Sequence, residues 1–397
     1  MTDSSAGRRK LTLMILAVAF FGAVGGLYET TFNNYLKEVY DISAQARSRL
    51  EFPREMPGFL VTVVAGSLVS LALNRVGYVA MALAAAGLVG MAFAPERFAV
   101  MAVFMVIYST GVHLNMPTTD SLTLALSSKG RQATRLGQMG AAGIVGTIAG
   151  AGFVALAMRA GLVSFKGVYL VAACAALTAA VLLASMGRVE RKDQPRRKVF
   201  VLKRRYALYY VLCALYGARK QVFMTFGPWV IIKVFDQPAY TIANLWLVYS
   251  VLGLGVRPLV GLMIDRWGER FALGLEGTIL TAVCVTYAAA GGSPSSTAAL
   301  YAVMAAYVVD QMCFAISMAR TTYLSKIIET PEDLPAGLAS GVSIDHLVSM
   351  SIPLLGGFVW AVWGFQYVFL GAAAVALSYA LVSRLVKVPR HQEAPHG

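Results

Sequence analysis

About a dozen apolar stretches, each close to the length that spans a bilayer, fill the chain from Leu11 to Ser383. One strongly basic segment, from Gly187 to Arg205, cuts them into two halves. A hydrocarbon core about 30 Å thick needs roughly 20 apolar residues per helix, and a helix satisfies its own backbone there. The expected spans are 11–36, 57–74, 78–95, 98–127, 136–158, 167–187, 206–232, 241–264, 271–290, 297–325, 334–360 and 364–383. This pattern leaves almost no soluble domain in which to hold an enzyme. A transmembrane β-barrel is excluded, because it requires short alternating segments rather than continuous apolar ones.

The chain is basic, at +14, with only 14% charged residues. The distribution of charge decides what that means. Most Lys and Arg fall on one side of the spans: Arg8, Arg9, Lys10, Arg75, Lys129, Arg131, Arg135, the run from Arg188 to Arg205, Arg266, Arg270, Lys326, Arg384, Lys387 and Arg390. The opposite side holds Lys37, Arg47, Arg49, Arg54, Arg97, Arg159, Lys166 and Lys233. Basic residues collect on the cytoplasmic side. Both termini and the central loop are therefore expected inside, and the charge reads as topology rather than a nucleic-acid footprint. Short loops point to a bacterial inner membrane.

Cys174, Cys213, Cys284 and Cys313 all lie within spans and lack the spacing of a metal site or disulfide framework. They read as helix-packing residues, and no metal is expected. Leu11 to Leu36 is too long for a signal-peptide core and reads as the first span.

The halves resemble each other. Tyr28-Glu-Thr-Thr-Phe in span 1 lines up with Arg219-Lys-Gln-Val-Phe in span 7, and Pro117-Thr-Thr-Asp-Ser in span 4 lines up loosely with Met318-Ala-Arg-Thr-Thr in span 10. Both offsets are close to half the chain, and such repeats mark secondary transporters. Gly261, Asp265, Arg266, Gly268 and Arg270 stand in the order G-x-x-x-D-R-x-G-x-R, which resembles the signature loop of the major facilitator superfamily. Gly261 is expected to let a helix end approach its neighbour, Gly268 to make the tight turn, and Asp265 to cap a helix or pair with an arginine. The N-terminal copy is degraded: Ser70 and Asn74 replace Gly and Asp, and only Arg75 and Gly77 survive.

The resemblance implies an all-α integral membrane protein, with twelve transmembrane helices in two pseudo-symmetric six-helix bundles. The expected division is residues 1–187, a basic linker 188–205, and residues 206–397. The loop residues would form a cytoplasmic gate that holds and releases the bundles, and the family usually acts as a monomer. Two departures count against the drug–proton antiporter branch. No arginine lies in Val106 to His113, and span 5 keeps Gly143, Gly146, Gly150 and Gly152 without the branch's proline. Span 11 does contain Pro353 with Gly356 and Gly357. The span-5 glycines favour close helix packing or flexing.

Ionisable residues at membrane depth are costly and usually face a cavity or a partner. Span 1 offers Glu29 and Asn33; span 4 offers His113, Asn115 and Asp120; span 7 offers Arg219, Lys220 and Gln221; span 10 offers Asp310, Gln311 and Arg320. The family's central cavity is lined by these four spans. Span 11 adds Asp345 and His346, and a histidine titrates nearest physiological pH. Glu29, Asp120, Asp310, Asp345 and His346 are thus the candidates for proton coupling. Each has a plainer reading. Glu29 and Lys220 either line the cavity or close a far gate as an ion pair; Asp310 and Arg320 either meet cargo or act as interhelical glue; His113 either binds or packs. Adjacent Arg219 and Lys220 diverge by about 100°, so only one faces the cavity centre. Arg54 and Glu55 are expected at the outer mouth, in a solvated role rather than the alternative one of meeting substrate.

Guanidinium groups suit carboxylates and phosphates. The favoured cargo is therefore a small anionic or zwitterionic metabolite, with its transport coupled to protons. A multidrug exporter and a lysolipid flippase are the alternatives. A membrane enzyme finds no support: the sequence has no nucleophile–base constellation, no H-E-x-x-H, and no nucleotide or other cofactor motif.

Overall fold

A computed structural model describes residues 5–64, 71–94, 97–127, 131–189, 201–293, 295–330 and 333–387. Ser70 and residues 190–200 of the basic segment lie outside the described residues. What is described is helical, with no strand. The helices are α1 (Ser5–Tyr40), α2 (Ala44–Val64), α3 (Leu73–Phe93), α4 (Phe98–Leu126), α5 (Gln132–Ala157), α6 (Phe165–Ala184), α7 (Ala207–Trp229), α8 (Ala239–Ala290), α9 (Thr297–Cys313), α10 (Met318–Ile327), α11 (Asp333–Trp363) and α12 (Phe365–Ser383). Nine stretches among the described residues are long and apolar enough to cross a membrane. A π-helical turn, Val230–Val234, extends α7, and a 3-10 turn, Phe314–Ser317, joins α9 to α10.

Two expected boundaries move. The span expected at 57–74 corresponds to α2, which starts at Ala44 and carries Pro53 and Pro57 inside it. The charged residues read as an outer loop are therefore on a helix. The spans expected at 241–264 and 271–290 both belong to α8, which breaks at Gly268, where φ is 80° and ψ is 168°. That left-handed backbone is open to glycine at little cost, so the turn expected there is made by the residue expected to make it.

Contacts divide the chain into two compact units, Met1–Pro195 with Thr225–Val251, and Arg196–Met224 with Leu252–Gly397. In the first unit α1 packs on α5 and α6, α3 on α4 and α6, and α2 on α4. The α1–α5 seam is made of small residues. A Cβ at Gly146 would stand 1.8 Å from the Ala19 carbonyl oxygen, and one at Gly150 2.4 Å from that of Ala23. Without these glycines the backbones could not approach so closely. Thr147 Oγ1 donates across the seam to the Gly22 carbonyl at 3.2 Å.

At the end of α1 the chain is clasped by the segment after α7, in the same unit. Lys37 pairs with Asp236, and Lys233 with Asp41, reciprocally. Asn34 Nδ2 donates to the Gln237 carbonyl at 3.0 Å. Asp41 (φ 43°) and Asp236 (φ 52°) are the non-glycine residues with positive φ among those described. Asp tolerates this region better than most side chains. Hydrogen bonds from Lys233 and Lys37, respectively, hold the two carboxyls below their ordinary range.

The second unit is cored by Tyr206, Tyr209, Leu212, Leu273, Leu280, Tyr323, Leu324 and Tyr379. Its entry is tied down by Lys203, which pairs with Glu329 at 2.7 Å and with Asp333 at 2.6 Å. Asp333 lies in the first turn of α11, where the helix dipole favours a carboxylate. Tyr206 Oη also donates to Asp333, at 2.7 Å. The Asp333 carboxylate first, and then that of Glu329, raise the Lys203 ammonium above its ordinary range.

Candidate functional site: buried charge in two helical units

In the first unit, α2 delivers three charges to one place. Arg54 Nε lies 2.8 Å from Glu51, its Nη2 3.1 Å from Glu55, and its Nη1 3.8 Å from Glu29 of α1. Two turns earlier, Arg47 pairs with Glu51 and donates from Nε to Asn33 Oδ1 at 2.7 Å. His113 Nε2 stands 3.9 Å from Glu55, and its Nδ1 lies 3.0 Å from Ser109 Oγ. Ser109 Oγ donates to the Arg54 carbonyl, which ties α4 to α2. The solvated role expected for Arg54 and Glu55 is overturned. Both are buried, because each neutralises the other within a network of three carboxylates and two guanidinium groups. Glu29 is the accessible member, its side chain one-third exposed.

The second unit holds its charge in sealed pairs. Arg219 of α7 pairs with Asp310 of α9, and both are almost wholly buried. Gln311 Nε2 also donates to Asp310, at 3.4 Å. Arg320 of α10 donates to Tyr379 Oη at 2.9 Å and to Glu276 Oε2 at 3.3 Å, and Tyr379 donates to the same Glu276 oxygen at 2.8 Å. Its guanidinium lies 3.5 Å from the centre of the Tyr216 ring, a cation–π arrangement. Arg219 Nη2 and Glu276 Oε1 have no hydrogen-bond partner among the described residues, and their side chains line one cavity of about 10 Å³. That is close to the smallest space that holds a water molecule.

Lys220 behaves differently from its neighbour. It pairs with Asp345 of α11 at 2.5 Å, with the side chains 12% and 19% exposed. Of the two adjacent cations, Arg219 is sealed and Lys220 is accessible, as the divergence of adjacent helical residues requires. Ser349 Oγ lies 3.4 Å from Asp345, and a Cβ at Gly217 would meet the same carboxylate at 2.4 Å, so α7 and α11 touch here.

Other expected residues fall elsewhere. Asp120 is exposed and joins no ion pair among the described residues. Asn115 and Gln221 are buried, and His346 is half-buried one residue past Asp345. In the signature loop, Asp265, Arg266 and Arg270 are exposed, and Asp265 makes no ion pair among the described residues. The buried acid is Glu269, which pairs with Lys326 at 2.5 Å. Nothing among the described residues lies within 4 Å of a Cβ built on Gly261. In the degraded copy, Arg75 is exposed, Asn74 Oδ1 accepts from the Val189 amide at 3.1 Å, and a Cβ at Gly77 would stand 3.2 Å from Leu183.

Arg47, Glu51, Arg54 and Glu55 precede the apolar run, so hydropathy alone does not place them at membrane depth. Glu276 carries a usable signal that the sequence reading passes over, a lone carboxylate in an apolar span opposite a lone Arg320.

The helical fold has known counterparts. The Major Facilitator Superfamily profile matches residues 56–343. Among solved structures, a mutant form of the nucleoside transporter NupG superposes with a TM-score of 0.76 at 14% identity, covering 95% of this chain and 99% of its own. A bacterial homologue of the human lysosomal transporter Spinster, inward-facing and occupied, gives 0.70 at 14% identity, covering 95% and 96%. No curated protein matches the sequence. The chain belongs to the major facilitator superfamily, a family of membrane transporters rather than enzymes.

Proposed function

We propose that this chain is a proton-coupled secondary transporter of a small zwitterionic metabolite, working by alternating access. The observation that carries the reading is the contrast within the second unit. Arg219 and Arg320 are each committed to a buried carboxylate, whereas Lys220 and Asp345 form the accessible pair. A zwitterion offers both charges needed to replace such a pair, its anionic group to Lys220 and its ammonium to Asp345. A purely anionic cargo would leave Asp345 uncompensated, which is costly at membrane depth. Protonation of Asp345 releases Lys220 without cargo, which links the pair to a proton gradient. Glu29, the accessible carboxylate of the Arg54 network, is the second candidate for the proton.

The proposed frame is twelve spans in two six-helix bundles, residues 1–187 and 206–397, joined by the basic segment 188–205. It is supported by the break in α8 at Gly268, which makes two spans of one, and by α2 and α7 beside the nine apolar stretches. The proposed setting is a monomer in an inner membrane with both termini cytoplasmic. The cargoes named for the neighbouring structures do not transfer at 14% identity.

The test is a thermal-shift screen of the purified protein against zwitterions, organic anions, nucleosides and hydrophobic cations, followed by uptake into proteoliposomes under an imposed pH gradient. A ligand at about a hundred times its dissociation constant stabilises by roughly 2.7 kcal/mol, which such a screen resolves. The expected outcome is stabilisation by a zwitterion that is lost in Lys220→Ala and in Asp345→Asn. Stabilisation by a hydrophobic cation, unchanged in both variants, would replace this reading with the exporter.

A further inference from the structure

One face of the first unit carries an apolar groove that the transport reading does not use. It has a volume of about 600 Å³ and is lined by Ala82, Ala86, Val89 and Gly90 of α3, Phe104 of α4 and Leu177 of α6. The walls are bulky and the floor is small, because a Cβ at Gly90 would lie inside the Phe104 ring, 1.9 Å from one of its carbons. Val89, Phe93 and Leu177 are exposed along it, on helices apolar enough to cross a membrane. Such a groove faces hydrocarbon, and the only abundant occupant there is an acyl chain.

Two further observations define the ligand. The groove runs along α3 from Ala82 to Phe93, about 17 Å at the helical rise. Half the hydrocarbon core is about 15 Å, so the groove has the depth of one leaflet. Two cations stand at its Phe93 end. Lys166, exposed in the first turn of α6, has its Nζ 4.2 Å from the centre of the Phe93 ring, a cation–π contact at the end of the groove. Arg97 is exposed at the start of α4, its amide bonded to the carbonyl of Ala94, a groove residue, at 3.5 Å. Neither cation forms an ion pair with a described acidic side chain; Glu96, next to Arg97 in the sequence, lies outside the described residues.

We infer that this groove is a binding site for an anionic phospholipid, with one acyl chain along Ala82–Phe93 and the phosphate between Lys166 and Arg97. The one-leaflet depth selects a lipid and the two cations select its charge. The site is remote in sequence from Lys220 and Asp345, so it stands or falls independently of the cargo.

The experiment is lipid binding to the full chain by native mass spectrometry and thermal shift, with phosphatidylglycerol and phosphatidylcholine of matched acyl chains and inorganic phosphate as separate arms. Two basic residues at an anionic headgroup predict a preference of about thirty-fold for phosphatidylglycerol. The Arg97→Gln/Lys166→Gln variant is expected to bind the two lipids equally. Ala86→Phe, at a groove position, is expected to weaken both. Equal binding of the two lipids by the unaltered chain, or a preference that survives in the basic variant, would reduce the groove to ordinary annular contact. An equal response to inorganic phosphate alone would remove the acyl chain from the site. Because both cations lie at the surface, single Lys166→Gln and Arg97→Gln variants serve if the double variant is poorly folded, and an undiminished preference in both overturns the inference.

Discussion

The two units bury similar charge in opposite ways. Around Arg54, three carboxylates share two guanidinium groups, so the network has more acids than bases and one acid, Glu29, stays accessible. In the second unit Arg219 and Arg320 each pair with a single carboxylate, and these pairs are closed off. A shared network tolerates the loss of a member, because the remaining charges redistribute. A sealed pair does not, because its survivor is a lone charge in low dielectric. Within these buried clusters Glu29 in one unit and Lys220 with Asp345 in the other are the accessible members, and the proposed transport cycle draws on them.

The largest expected effect tests the sealed pairs. Asp310→Asn or Glu276→Gln strands a buried arginine and should cost about 3–5 kcal/mol, read as a large fall in the thermal midpoint of the purified protein. Glu55→Gln should cost less, about 1–2 kcal/mol, because Arg54 keeps Glu51 at 2.8 Å. Equal losses would erase the distinction between network and pair. A second measurement sharpens it. Glu276→Gln combined with Arg320→Gln should restore part of what Glu276→Gln alone removes, with a coupling of about 1–3 kcal/mol. Strict additivity would mean that the pair contributes nothing as a pair.

Glu29→Gln is expected to change stability by less than about 1 kcal/mol while lowering proton-driven uptake, which separates an accessible coupling group from a structural one. A variant that unfolds would place Glu29 with the buried carboxylates instead. The smallest effect belongs to the clasp at the end of α1. Asp41 and Asp236 have folded pKa values below their ordinary range, so the clasp is fully formed above the unfolded values and is lost as pH falls through the folded ones. Amide exchange at residues 37–41 and 230–236, corrected for its intrinsic pH dependence, should be steady from about pH 7 to 5 and rise only below about pH 4. High salt should speed it throughout that range, because both aspartates are exposed. Exchange that is indifferent to salt would assign the clasp to Asn34 and its backbone bond.

Hydropathy makes the helices legible because each span must be apolar over a bilayer's thickness whatever it packs against. The ends of α4, α6 and α12 fall within a few residues of expectation for that reason. The start of α2 is not legible. Its first turns are polar, and only the carboxylates and arginines that neutralise one another allow them to be buried as helix. The signature loop is legible at Gly268, where a single backbone angle favours glycine, whereas its buried acid, Glu269 paired with Lys326, is not singled out by the sequence. Arg219, Lys220, Asp310, Arg320 and Asp345 are recognisable as candidates, since charge in an apolar span always needs an explanation.

The sequence by itself determined the class of this protein, a multi-pass helical membrane transporter, because hydrocarbon imposes one solution on the backbone and local composition reports it. Only the tertiary structure decided which charges are sealed and which are accessible. Arg219 and Lys220 are neighbours in the chain, but the helical rotation between them turns one toward Asp310 and the other toward Asp345. Partner choice is a property of facing helices, and no single helix encodes it.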